Sequence, residues 1–176
     1  MSAPSRTLVV LVQDHPGVLT RVASLFRRRN YNIESLVVGH SETPGVSRMT
    51  VVVSGEAREV DQVAKQLQKL IEVNEVRDVS DGSPLLREMA LIRVRAEGAE
   101  RTEVTDLAKL FGARIVDVAH NTITLEMTGS EAKVDSLVRL AARFGIEEMV
   151  RSGRIAMARD TAGEPLSRTP GDELSA

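Results

Sequence analysis

Leu8-Val9-Val10-Leu11-Val12, then Gln13, then Asp14-His15-Pro16-Gly17-Val18-Leu19 and an amphipathic run to about Arg29: this stretch decides how the rest of the chain is read. The first five residues have strand length and β-branched composition. They do not alternate in polarity, so both faces of the strand are expected to be buried. From Val18 onward the apolar positions recur at helical spacing, with Val18, Leu19, Val22, Ala23 and Phe26 on one face. Arg27-Arg28-Arg29 closes this helix, where cations suit the dipole. Pro16 and Gly17 therefore mark a strand-to-helix corner. Pro16 has no N–H to leave unpaired in a first helical turn, and Gly17, without a Cβ, lets another molecule approach the main chain. The amides of Gly17, Val18 and Leu19 are expected to point outward at the positive end of the helix, where a carboxylate or phosphate can be held. Alone, such a corner is only a turn; its surroundings give it meaning.

Working outward, Asn30-Tyr31-Asn32 reads as a turn and Ile33 to Gly39 as a second strand. A loop from His40 to Gly45 leads to a third strand over Ser47 to Ser54. A helix from about Arg58 to Ile71 and an alternating strand over Val73 to Val79 complete a β-α-β-β-α-β order. Asp81-Gly82-Ser83-Pro84 breaks the pattern. The same order then begins again: a strand over Met89 to Ala96, a helix over Thr102 to Phe111, a hairpin from Arg114 to Met127, a helix over Glu131 to Phe144, and a last strand within Ile146 to Met157. The repeat is visible in letters too. Val53-Ser54-Gly55 followed by Glu59-Val60-Asp61 parallels Met127-Thr128-Gly129 followed by Lys133-Val134-Asp135.

The fold class is therefore α+β: two tandem ferredoxin-like βαββαβ units, each an antiparallel four-stranded sheet with helices on one face. The expected division is an N-terminal unit over 1–81, a linker over 82–88, a second unit over 89–160 and a disordered tail over 161–176. Units of this size have thin cores, and a second copy is the simplest cover for a bare sheet face or edge, so a homodimer is expected.

Composition narrows the function. The apolar share is 42% but the aromatic share only 2%, so the core must be built from aliphatic side chains and Met. The net charge of −2 offers no basic excess for nucleic acid or an anionic membrane. With no Cys, disulfides, thiolate metal sites and Cys nucleophiles are excluded. No apolar run approaches the roughly 20 residues that span a bilayer, and the start lacks a secretory signal, so a soluble, cytoplasmic protein is expected. The three His residues, at 15, 40 and 120, all fall in expected loops without metal-ligand spacing, and no catalytic or phosphate-loop motif occurs. Neither a catalytic nor a metal site is expected. Base stacking on a ferredoxin-like sheet would need aromatic residues on central strands, but Phe26, Phe111 and Phe144 lie on helix faces and Tyr31 in a turn.

Small-molecule binding at the first corner survives these exclusions. A free amino acid would set its carboxylate on the helix amides and its ammonium against Asp14 and the side-chain carbonyl of Asn32. Val18, Leu19 and Ile33 would line a recess for an aliphatic side chain. Asn32 starts the second strand and would face the corner of a neighbouring copy in a side-by-side dimer.

These residues resemble an ACT domain, whose signature corner D-x-P-G-x-L is met by Asp14, Pro16, Gly17 and Leu19. More narrowly, the chain resembles the regulatory (small) subunits of acetolactate synthase. The likeness is carried by Asp14 to Leu25, Asn30 to Leu36, Ser47-Arg48-Met49-Thr50, Lys65 to Leu70, Arg87 to Ile92 and Ile115-Val116-Asp117-Val118, within about residues 7 to 160. The resemblance implies a subunit with no catalysis of its own. It implies binding and activation of a catalytic (large) subunit that carries thiamine diphosphate, Mg2+ and FAD and condenses pyruvate with pyruvate or 2-oxobutyrate. It also implies feedback inhibition by valine or a related branched-chain amino acid, with no cofactor on this chain. Effector-site positions carried over are Asp14, Gly17, Thr20 and Asn32, which with His15, Pro16, Val18, Leu19 and Ile33 make up the expected site. Many relatives have Asn at position 14 and Ser or Ala at position 20. The alternative from another class is a stand-alone amino-acid-sensing regulator without an enzyme partner; an independent small enzyme is the third.

Overall fold

The computed structural model describes residues 5–159; the 161–176 tail lies outside them. The first unit runs β1 (Ser5–Gln13), α1 (Val18–Arg28), β2 (Ile33–His40), β3 (Val46–Ser54), α2 (Ala57–Leu67) and β4 (Val73–Asp78). The second runs β5 (Leu85–Arg95), α3 (Glu100–Phe111), β6 (Arg114–Val118), β7 (Thr122–Gly129), α4 (Glu131–Ala141), a short 3-10 turn (Ala142–Phe144), β8 (Ile146–Arg151) and β9 (Ile155–Met157). Strand orders β2-β3-β1-β4 and β6-β7-β5-β8 are the same, and every ladder is antiparallel. The double βαββαβ architecture is thus the one expected from the sequence.

Each core lies between a sheet and its two helices. In the first, Leu8, Val10 and Val12 of β1 and Met49, Val51 and Val53 of β3 pack against Val22 and Phe26 of α1 and Val60, Val63 and Leu67 of α2. In the second, Ile92 and Val94 pack with Leu125, Met127, Val104 and Leu137. The opposite face of the first sheet is also covered. Thr7, Val9, Thr50 and Val52 point away from the helices, yet each is at most 3% exposed. Val9 and Val79 meet Ala156 of β9, with Leu86 packed alongside. The unalternating polarity of β1 now has its cause: helices bury one face, and β9 with Val79 and Leu86 buries the other.

Three expectations change. Leu85, Leu86 and Arg87, assigned to the linker, are the start of β5 and pair with Met157, Ala156 and Ile155 of β9. The single last strand is two, β8 and β9, joined by Ser152-Gly153-Arg154. A second copy is not needed to cover the face of the first sheet, because β9 already lies over it; the outer edge of β2 is left unpaired by its own sheet.

Arg6 on β1 donates to Asp78 at the end of β4 (2.9 Å) and to Asp81 beyond it (2.5 Å), closing the first unit where the chain leaves it. Burial would raise the Asp78 carboxyl, but the Ser80 hydroxyl and amide and the Arg6 guanidinium outweigh it and hold it below 3.8. A carboxyl lowered in the folded state contributes stability above its unfolded value, which is lost as pH falls through the folded one. Asp78→Asn should therefore lower stability near neutral pH and converge on the parent as pH falls through the lowered Asp78 value, as read by urea denaturation across an acid-to-neutral pH series. Phe26→Ala should cost about 3–5 kcal/mol, whereas Leu110→Ala, at a side chain 78% exposed, should stay within about 0.5 kcal/mol in the same assay.

Candidate effector site

Four backbone contacts build the corner. The Gln13 amide donates to the Glu72 carbonyl (2.8 Å), the Asp14 amide to the Gly45 carbonyl (2.9 Å), the His15 amide to the Gln13 carbonyl (3.2 Å), and the Arg21 amide to the Gly17 carbonyl (3.1 Å). The chain thus leaves β1 pinned on one side to Glu72, just before β4, and on the other to the β2–β3 loop. Gly17 is the N-cap of α1 at φ 94°, ψ −17°, and a Cβ there would meet nothing within 4 Å. The space above it is open. An L side chain could enter that space only by adopting the left-handed conformation that glycine takes freely.

The first turn of α1 differs electrostatically from those of the other helices. It has no side-chain cap and no acidic residue. In contrast, α2 has a capping box from Glu56 and Glu59, α3 starts with Glu100 and Glu103, and α4 is capped by Ser130 with Glu131 beside it. The amide of Val18, expected to be free, leans back to the His15 carbonyl at 3.5 Å. Among the described residues, those of Gly17, Leu19 and Thr20 meet no acceptor. Open amides and an unneutralised dipole end favour an anionic group here.

Two side-chain contacts flank the corner. His40 Nδ1 lies 3.3 Å from the Asp14 carboxylate, which is otherwise half exposed. Arg21 Nη1 of α1 lies 2.6 Å from Glu72 Oε1; the Glu72 side chain is 6% exposed, and its second oxygen is buried without a hydrogen-bond partner. Neither pair was visible in the sequence. His40, expected in a loop, ends β2 opposite Ser47, which brings it to the corner. Glu72 reaches Arg21 because α2 stops at Leu67 and the chain turns there, leaving Ile71 83% exposed.

Of the nine expected site residues, one chain brings together Asp14, His15, Pro16, Gly17, Leu19 and Thr20, all exposed. Val18 does not line a recess: it is 3% exposed within the core. Asn32 and Ile33 lie at the other end of the sheet. Ile33 pairs with Val53, which pairs with Arg6, while Gln13 pairs with Val46. Seven residue steps along β1, from Arg6 to Gln13, separate the two ends, about 23 Å at roughly 3.3 Å per residue.

The second unit supplies a control. Its corner repeats the backbone scheme, with the Arg95 amide on the Gly145 carbonyl (3.0 Å) and the Ala96 amide on the Asn121 carbonyl (2.8 Å). However, Ala99 takes the place of Gly17 with ordinary helical dihedrals. The Arg101 guanidinium bonds the carbonyls of Ala96, Ala119 and His120 at 2.9–3.1 Å beside a cavity of about 480 Å³. With Glu100 and Glu103 in its first turn, this corner does not favour an anion. Among the described residues no cluster of three His, Asp or Glu side chains could hold a metal ion, and no helix is long and apolar enough to cross a membrane.

A βαββαβ sheet opening through a glycine corner into an uncapped helix defines an ACT-type domain. Residues 8–75 match the family model for the acetohydroxyacid synthase (AHAS) small subunit-like ACT domain, and residues 87–160 that for the small subunit of acetolactate synthase. The acetolactate synthase small subunit of Mycobacterium leprae is 48% identical over 160 residues, 91% of this chain and 95% of the relative. A probable acetolactate synthase small subunit of Archaeoglobus fulgidus is 49% identical over 153 residues, 87% and 96% of the two chains. The crystal structure of the Thermotoga maritima small subunit superposes with a TM-score of 0.83 at 38% identity, covering 89% of this chain and 98% of that one. The chain belongs to the acetolactate synthase small-subunit family.

The Arg21–Glu72 pair can be tested by stability alone. Arg21→Ala leaves the buried carboxylate unpaired and should cost about 1–3 kcal/mol; adding Glu72→Gln should recover part of that loss in urea denaturation.

Proposed function

We propose that the chain is the non-catalytic regulatory partner of a cytoplasmic acetolactate synthase. It binds and activates the catalytic subunit and makes it sensitive to valine or another branched-chain amino acid. The observation that carries this reading is the open, uncapped start of α1 at Gly17, the only helix start among the described four with neither a side-chain cap nor an acidic first turn. Family membership supports the catalytic subunit as partner. Thiamine diphosphate, Mg2+ and FAD belong on that subunit, together with the condensation of pyruvate with pyruvate or 2-oxobutyrate.

The effector carboxylate sits on the amides of Gly17, Leu19 and Thr20, and its ammonium takes the Asp14 carboxylate. The site is completed by a second copy. If two β2 strands pair antiparallel about a two-fold axis that passes between Leu36 and Val37, the middle of the strand, Ile33 of one falls opposite His40 of the other. Asn32 then approaches the other copy's Asp14, which His40 already contacts. The outer edge of β2 is unpaired within its own sheet and available for this. A ligand buried between copies favours one dimer geometry over another, and coupling of about 1–3 kcal/mol is typical of such linkage. With so few heavy atoms, the effector should bind at micromolar to millimolar concentration, by order of magnitude.

Gly17→Asp puts a carboxylate where the effector's carboxylate would lie. The variant should still fold and activate the catalytic subunit but lose valine inhibition. Calorimetry with valine and activity titrations of the assembled enzyme check this, and undiminished inhibition in the variant would remove the corner from consideration.

A further inference from the structure

The segment Ser152–Met157 belongs to the second unit by its pairing but lies on the first. On one side it is fastened to its own unit. The Ser152 amide donates to the Met89 carbonyl (2.9 Å), and β9 pairs with Leu85–Arg87. Arg151, just before it, forks onto Glu88, whose side chain is only 4% exposed, and reaches Asp135 of α4 (2.8 Å). Arg154 pairs with Glu131, one turn earlier on α4. On the other side it grips the first sheet. The Arg154 amide donates to the Ser35 hydroxyl of β2 and its guanidinium to the Thr7 hydroxyl of β1, both at 3.3 Å. Arg48 of β3 donates to the Ala156 carbonyl (2.9 Å). At Gly153, φ 81°, there is no slack: a Cβ would fall 2.6 Å from Ser35 Oγ and 2.9 Å from Val37 Cγ2.

The strands it grips are those that lead to the corner. Ser35 and Val37 lie on β2, the strand ending in His40 beside Asp14. Arg48 pairs with Gly39 on one side and Leu11 on the other, two residues before the last residue of β1. A tightly packed contact transmits displacement rather than absorbing it. Arg154, 15% exposed, touches both units at once.

We propose that Ser152–Met157 is a strap that transmits effector occupancy at the β2 edge of the first unit to β8 and α4 of the second. Any shift of β2 must move Gly153 and Arg154, and with them Arg151, Glu131 and Asp135. This rests on the effector reading given above, and it adds a route from that site to the other half of the chain.

Hydrogen exchange of the full chain, with and without saturating valine, tests it. In the parent, valine should slow exchange at residues 14–20 and also across 152–157, β8 and the start of α4, by about fivefold or more. In Arg154→Ala the corner should still respond while the response of β8 and α4 is lost. Arg154→Lys, which keeps a charge for Glu131 but not the fork to Thr7, and Arg48→Met serve the same comparison should Arg154→Ala fail to fold. A corner response in the parent without one in the strap overturns the inference and spares the effector reading, as does an intact distant response in the variants. No response at the corner of the parent overturns the effector reading, and the strap's role with it.

Discussion

The architecture depends on β1 being satisfied on all four sides. Its two edges are taken by β3 and β4, one face by α1 and α2, and the other by β9 and Leu86. A strand so enclosed cannot shift register without exposing Leu8, Val10 and Val12 or unpairing buried backbone. It therefore acts as a rigid floor, and the main chain that leaves it at Gln13 does so in a fixed direction. The bonds of Gln13 to Glu72 and of Asp14 to Gly45 hold that exit from both sides. Gly17 then turns the chain into α1 with its first amides open. What the corner presents is thus decided by burial several residues upstream.

The same enclosure explains why the two units are not independent beads. The cover over the first sheet comes from residues more than a hundred positions later, tied down by Arg48, Arg154 and an apolar contact between Val9 and Ala156. Thr7 and Thr50, polar side chains on a β-sheet face, are buried because of it. In this chain the ACT-type unit and the C-terminal unit share a face, and the second unit completes the first.

Much of this was legible in the sequence. Period-2 and period-3.6 patterns separated strands from helices, and the letters of the repeat fixed two βαββαβ units. The corner was legible because Pro16 and Gly17 have few structural meanings after an apolar strand. The rest depended on long-range pairing. Ile155-Ala156-Met157 is too short to show a period of its own and merged with β8 into one last strand, while its partner Leu85–Arg87 stands behind the break at Gly82-Ser83-Pro84 and looked like connection. Val18 and Leu19 are adjacent on a helix, and periodicity alone did not say that Val18 would be core and Leu19 exposed. His40 and Glu72 reach the corner only through strand register and a helix end, neither of which is a local property.

The Arg101 plug in the second corner has a consequence for stoichiometry. Duplication of a sensing module would ordinarily double its ligand count, but here a guanidinium occupies the carbonyls of one copy and two glutamates oppose an anion at its helix start. On the proposed reading a saturating titration therefore counts one effector molecule per polypeptide. The vacant half of the repeat is left to serve as scaffold.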